Sequence, residues 1–239
     1  MITAHDWADT DQLLALPPTG WIDDAIASAR FGTVAHLVTD SFDRYARVLH
    51  PAKRTVHDVP TEYFRWADVA RATGAVAHAR MQWDAIADVD EESPLTFWNE
   101  NPSSTDFIPD HVVTEIAAQL GDDECYFAVW EGNSALQGVN GDLPKATIDQ
   151  YRFHVLAGTV ADATRRFHGL RPNLWWNRDR SWLVASNIDL VSTYVGATSD
   201  AIDRLLHSSV IEAWEVSADD DVTITSDTLN WPDGPPRHC

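Results

Sequence analysis

Pro172-Asn173-Leu174-Trp175-Trp176-Asn177-Arg178-Asp179-Arg180-Ser181-Trp182-Leu183-Val184-Ala185 is the stretch whose reading decides the fold. Leu174 to Trp176 is apolar and aromatic. Asn177 to Arg180 is a polar break of turn length, and Trp182 to Ala185 is apolar at consecutive positions. Consecutive apolar residues predict a strand covered on both faces. The two runs therefore read as a hairpin. Further on, Ser192-Thr193-Tyr194-Val195-Gly196-Ala197-Thr198 reads as a loop with a glycine near its end. Thr198 or Ser199 is placed to cap a helix running to His207, with Ala201, Ile202, Leu205 and Leu206 on one face. Val210 to Val216 reads as another strand.

Working outward, Tyr126 to Trp130 is a second continuous apolar run and a candidate interior strand of the same sheet. Pro109 to Leu120 reads as a helix, with Asp110 as its cap and Val112, Ile116, Ala117 and Leu120 on one face. Ile148 to Leu156 alternates as a strand should, with Tyr151, Phe153 and Val155 on one side. Gly158 is expected to start a turn into a helix from Val160 to Phe167. Nearer the N-terminus, Trp21 to Arg30 carries apolar residues at helical spacing. Phe31 to Asp40 looks like a strand that pairs as a hairpin with Phe42 to Leu49. Tyr63 to Thr73 reads as a helix ended by Gly74. Phe97 to Pro109 is a long irregular stretch, a candidate lid or binding loop.

These elements predict an α+β fold, a single domain with a mixed β-sheet of about five to seven strands packed by helices. The alternative division is two subdomains, residues 1–90 and 109–239, joined by the irregular loop. No internal repeat or low-complexity segment interrupts the chain.

Four segments resemble a family of uncharacterised proteins common in actinobacteria. They are Tyr45-Ala46-Arg47-Val48-Leu49-His50-Pro51-Ala52, Arg65-Trp66-Ala67-Asp68-Val69-Ala70, Cys125-Tyr126-Phe127-Ala128-Val129-Trp130-Glu131-Gly132, and the run from Pro172 to Gly196. The resemblance spans about residues 40 to 225 in the same order. It implies a cytoplasmic bacterial protein of one architecture and carries over no activity and no catalytic residues.

Charge narrows the function classes. The 239 residues carry a formal net charge of −20, spread along the chain. With no basic stripe to neutralise phosphates, nucleic acid and anionic membranes are not expected partners. Two cysteines, neither in a CxxC pair, give no disulfide framework and fit a reducing compartment. No stretch reaches the ~20 apolar residues of a membrane span, so a cytoplasmic location is expected.

The motifs of common chemistries are missing from the sequence. There is no phosphate-binding GxxxxGK[ST], no GxGxxG, no HExxH and no GxSxG. His50, His57, His78, His111, His154 and His168 are scattered singly, so no metal site and no cofactor is nominated. Cys125 lies in a run that predicts burial, which makes a thiol inert.

Eleven tryptophans remain, several beside polar groups. Trp98 lies by Asn99 and Asn101, and Trp130 by Glu131. Trp175 and Trp176 stand among Asn173, Asn177 and Arg178, while Trp182 and Tyr194 flank Asn187 and Asp189. Indole rings stack on planar ligands and anchor interfaces, although the same rings equally fill a core. The candidate ligand-binding residues are Trp98, Trp175, Trp176, Arg178, Asp189 and Tyr194, around the Asp189 to Gly196 loop. The expected function is a non-catalytic binding or regulatory protein that presents an aromatic-lined groove or acidic face to a protein or a small polar ligand. The alternative is an enzyme whose site is assembled from non-contiguous polar residues around that groove.

Overall fold

The computed structural model of the chain describes residues 6–7, 13–87, 96–121, 124–138 and 143–234. Asp122, Asp123 and the second cysteine, Cys239, lie outside them. The helices are α1 (Gly20–Ser28), α2 (Ala35–Val38), α3 (Trp66–Thr73), α4 (Trp83–Ile86), α5 (Asp110–Leu120) and α6 (Ser199–Leu206). The strands are β1 (Arg44–Leu49), β2 (Ala52–Val56), β3 (Val59–Phe64), β4 (Glu124–Trp130), β5 (Ala146–Ile148), β6 (Tyr151–Thr159), β7 (Leu174–Asn177), β8 (Leu183–Ala185), β9 (Ser192–Ala197) and β10 (Glu212–Val216).

Eight strands form one sheet in the order β10-β1-β9-β8-β7-β4-β6-β5, and β2 and β3 pair apart. The fold is α+β, as the sequence predicts. Its sheet is wider than expected, and every pairing between its named strands is antiparallel. Among the described residues a single parallel bridge is found, between Asp6 and Arg166, outside the named strands. Both continuous apolar runs are interior strands: β4 lies between β7 and β6, and β8 between β9 and β7. The turn residues Asn177 to Arg180 join β7 to β8 with Trp176 opposite Leu183.

Alternation along the strands divides the core in two. One face carries Val48, Phe127, Trp175, Val184 and Val195 beneath α5 and α6. The other carries Tyr45, Ala128, Trp176, Leu183 and Tyr194 beneath Ile22 and Ile26 of α1 and Val34 and Val38 of the α2 region. A third cluster sits beyond the end of β1, where Trp66, Val69, Met81, Trp83 and Trp98 pack together.

Several expectations are corrected. Phe31 to Asp40 holds the four-residue helix α2, not a strand: Val34 and Val38 are buried in the core beneath it and Leu37 packs against that core. β1 accordingly pairs with β9 and β10. Ser192 to Ala197 is a fully buried central strand, not a loop. Its polar side chains are satisfied inside the sheet: Arg47 Nε donates to Ser192 Oγ at 3.2 Å, and Thr193 bonds His50 at 2.9 Å. Gly196 is needed there because the Phe42 ring lies on the strand, and a Cβ at that position would stand 2.4 Å from Phe42 Cδ2.

Asp110 makes no capping bond to α5 and instead pairs with the buried Arg171. Thr198 occupies the cap position of α6 without a side-chain cap bond. Ile148 to Leu156 is split into β5 and β6 by a two-residue turn, and Gly158 lies within β6. The segment after it is a short 3-10 helix, Val160–Thr164, with Asp162 accepting from the Thr159 backbone N–H at 2.8 Å. Tyr63 and Phe64 belong to β3, and the helix after them ends at Gly74, whose φ of 80° is left-handed.

Candidate functional site

The two layers on the α1–α2 face do not close everywhere. A cleft of about 470 Å³ opens between α1, α2 and the strand ends that carry Trp130, Phe153, Leu174 and Ala185. Such a volume falls in the range of small-molecule sites. Its roof is Ile26 of α1 and Leu37 of α2, and Ile148 and Val222 also line it. Polar groups reach it at the rim: His36, Asp149, Asn187 and Asp189, with Asn173 and Ser186 at the back.

The rim is built by local turns. Asp149 and Gln150 join β5 to β6 with φ of 45° and 62°, the sign pattern of a tight two-residue hairpin turn. The Asp149 backbone N–H donates to the Asp23 carboxylate of α1 at 2.8 Å, which ties this turn to the helix across the cleft. His36 Nε2 stands 3.5 Å from Asp149 Oδ2. The Phe31 ring meets the His36 ring edge-on at 5.0 Å, and Phe31 itself is 82% exposed. Trp130 meets Tyr151 edge-on at 6.3 Å. Asn173 holds the back wall: its Oδ1 accepts from the Trp130 N–H at 2.9 Å, and its backbone C=O accepts from Ser186 N at 2.7 Å.

Behind Ser186, on the opposite side of the sheet, runs a chain of buried hydroxyls ending on a histidine. Ser186 Oγ is 2.7 Å from Thr193 Oγ1, Thr193 Oγ1 is 2.9 Å from His50 Nε2, and His50 Nδ1 is 2.6 Å from the Ser103 carbonyl. The carbonyl only accepts, so Nδ1 carries the proton and Nε2 accepts from Thr193, whose oxygen accepts from Ser186. Burial pushes the His50 pKa down to about 4. His50, Thr193 and Ser186 are all closed from solvent. The chain has the parts of a hydroxyl-activating relay, but its histidine and threonine are sealed within the core. It serves as a polar rivet between β9, the end of β1 and the segment at Ser103.

The six residues nominated from the sequence do not converge. Asp189 lines the cleft. Trp176 and Tyr194 are buried on the same face of the sheet, with Trp176 tilted against Tyr126 at 5.7 Å and Tyr194 beneath the Arg47 guanidinium. Trp175 points to the other face, between Phe127 and Trp182. Trp98 is buried in the third cluster against Trp83 at 5.6 Å. Arg178 is exposed and pairs with Glu124 at 2.8 Å. The irregular stretch from Phe97 is pinned to the body through Trp98 and through Glu100, which pairs with Lys53 at 2.8 Å. The pairing of aromatics with polar neighbours did mark four lining residues, Trp130, Asn173, Asn187 and Asp189. It missed His36 and Asp149, which sit on a helix and a turn with no such signature.

Among the described residues, no three His, Cys, Asp or Glu side chains stand close enough together to hold a metal ion. No described helix is long and apolar enough to cross a membrane. No protein-family model matches the chain, and neither a curated protein nor a solved structure matches it.

Proposed function

We propose that the chain is a cytoplasmic, non-catalytic binding protein that holds a small, largely apolar molecule in the cleft beneath α1 and α2. The observation that carries this reading is the cleft itself. A half-open cleft of about 470 Å³ lined by Phe153, Leu174 and Ala185 leaves apolar surface unpacked at the edge of the core on this face. Unpacked apolar walls of that size favour an apolar guest, since filling them removes more apolar surface from water. The polar rim fits the end of such a molecule and not its body, which moves the reading away from a wholly polar ligand.

The test is decanol titrated into protein labelled at methyl groups and followed by NMR. Saturable shifts are expected at Ile26, Leu37, Leu174 and Val222. The Leu37→Trp variant, which fills the roof of the cleft, is expected to lose the shifts at the other three while keeping its melting temperature within a few degrees. Shifts spread over the surface, or none at millimolar decanol, would defeat the reading.

A further inference from the structure

We infer that the natural occupant of the cleft is a hydrophobic amine, with its apolar body inside and its protonated nitrogen at the rim between Asp149 and Asp189. This rests on the proposed binding function and specifies the ligand's charge. Two carboxylates line the cleft, while no lysine or arginine does so among the described residues. The one basic group lining it, His36, already stands 3.5 Å from Asp149. A ligand carboxylate or phosphate would meet like charge at this rim. A cation meets the opposite field.

The second observation is aromatic. Phe31 is 82% exposed and Tyr151 is 50% exposed, and both line the same cleft as Trp130. Exposed rings around the mouth of an apolar cavity present π faces that attract an organic cation. Carboxylates and aromatic faces together describe a receptor for an amine and not for a neutral lipid.

Decanol, decylamine and decanoate share one apolar body and differ in charge. Calorimetric titration near neutral pH and about 150 mM salt compares them where bulk attraction to the acidic surface is screened. Decylamine is expected to bind about tenfold tighter than decanol, and decanoate more weakly than decanol. The double variant Asp149→Asn/Asp189→Asn is expected to abolish the difference, so that decylamine and decanol bind it with the same affinity. Asparagine tolerates the left-handed backbone at 149, so the turn is kept. A control pair on the exposed surface, Asp84→Asn/Asp179→Asn, removes the same charge and is expected to change nothing. Decanol binding with decylamine no tighter, decanoate as tight as decylamine, or an equal loss in the control pair would overturn the amine assignment and leave the binding reading standing. If neither decanol nor decylamine binds, the binding reading falls, and the amine with it.

Discussion

At the scale of single residues, His50 joins three parts of the molecule. Its backbone N–H donates to the Val191 carbonyl, its carbonyl accepts from Trp66 Nε1 at 2.7 Å, and its ring links Thr193 to Ser103. With both ring nitrogens engaged and no carboxylate on either, the neutral form is the one the core accommodates. The consequence for stability has a definite sign. A histidine held neutral binds fewer protons folded than unfolded, so stability is lost as pH falls from the unfolded value near 6.5 toward the folded value of about 4. That single group accounts for on the order of 3 kcal/mol across the window. Burial lowers His111 and His154 in the same direction and adds to this slope, while the buried Glu212, whose pKa burial raises, works against it. Urea unfolding at steps through this window is expected to show a shallower pH slope in His50→Gln, whatever that variant's stability at neutral pH. Equal slopes in the two proteins would mean that His50 takes up protons without unfolding.

At the scale of elements, the tight turns repeat one device. His57-Asp58 and Asp149-Gln150 each join two strands through a pair of residues at positive φ. A two-residue turn of this kind matches the strand twist but strains any side chain other than glycine or asparagine. Gln150 carries that strain at φ 62° in the main sheet. Gln150→Gly is expected to stabilise the protein by about 1 kcal/mol, seen as a melting temperature higher by about 2–4 °C. An unchanged or lower melting temperature would show that the glutamine side chain holds the turn in another way. The same turn explains a limit of sequence reading. With neither Asn-Gly nor Asp-Gly present, Asp149-Gln150 gives no turn signal, and two strands merge into one. β4 and β8 were legible because covering both faces of a strand requires apolar residues in succession. β9 was not, because Ser192, Thr193 and Gly196 have turn-like identities. Only their partners Arg47, His50 and Phe42, about 150 positions away in the chain, make them suit a buried strand. α2 misled for the converse reason: four residues containing a β-branched valine are too short to display helical periodicity.

At the scale of the whole molecule, the candidate site is legible only in fragments, since it is a space between layers. His36, Asp149, Asn173 and Asp189 meet because α2 lies across strands from distant parts of the chain, and no local pattern records that meeting. Charge, in contrast, is fully readable from the sequence. The net charge of −20 comes from 37 acidic against 17 basic side chains, and the fold ties many of the basic ones to carboxylates. Arg44 bonds Asp203 and Glu215, Lys53 bonds Glu100, Lys145 bonds Glu131 and Arg178 bonds Glu124. A cation already paired releases no counterions on meeting a phosphate unless its carboxylate is first exposed to that phosphate, which repels it. The molecule should therefore fail to bind duplex DNA at any salt concentration. Fluorescence anisotropy of a labelled duplex at about 150 mM salt is expected to stay flat up to at least about 10 μM protein, within the range where non-specific binders saturate. Lowering the salt should not help, because weaker screening strengthens the repulsion as much as any attraction. A saturable rise that weakens with added salt would refute this, and would point to the arginines held by backbone carbonyls instead of carboxylates, such as Arg30, Arg65 and Arg204.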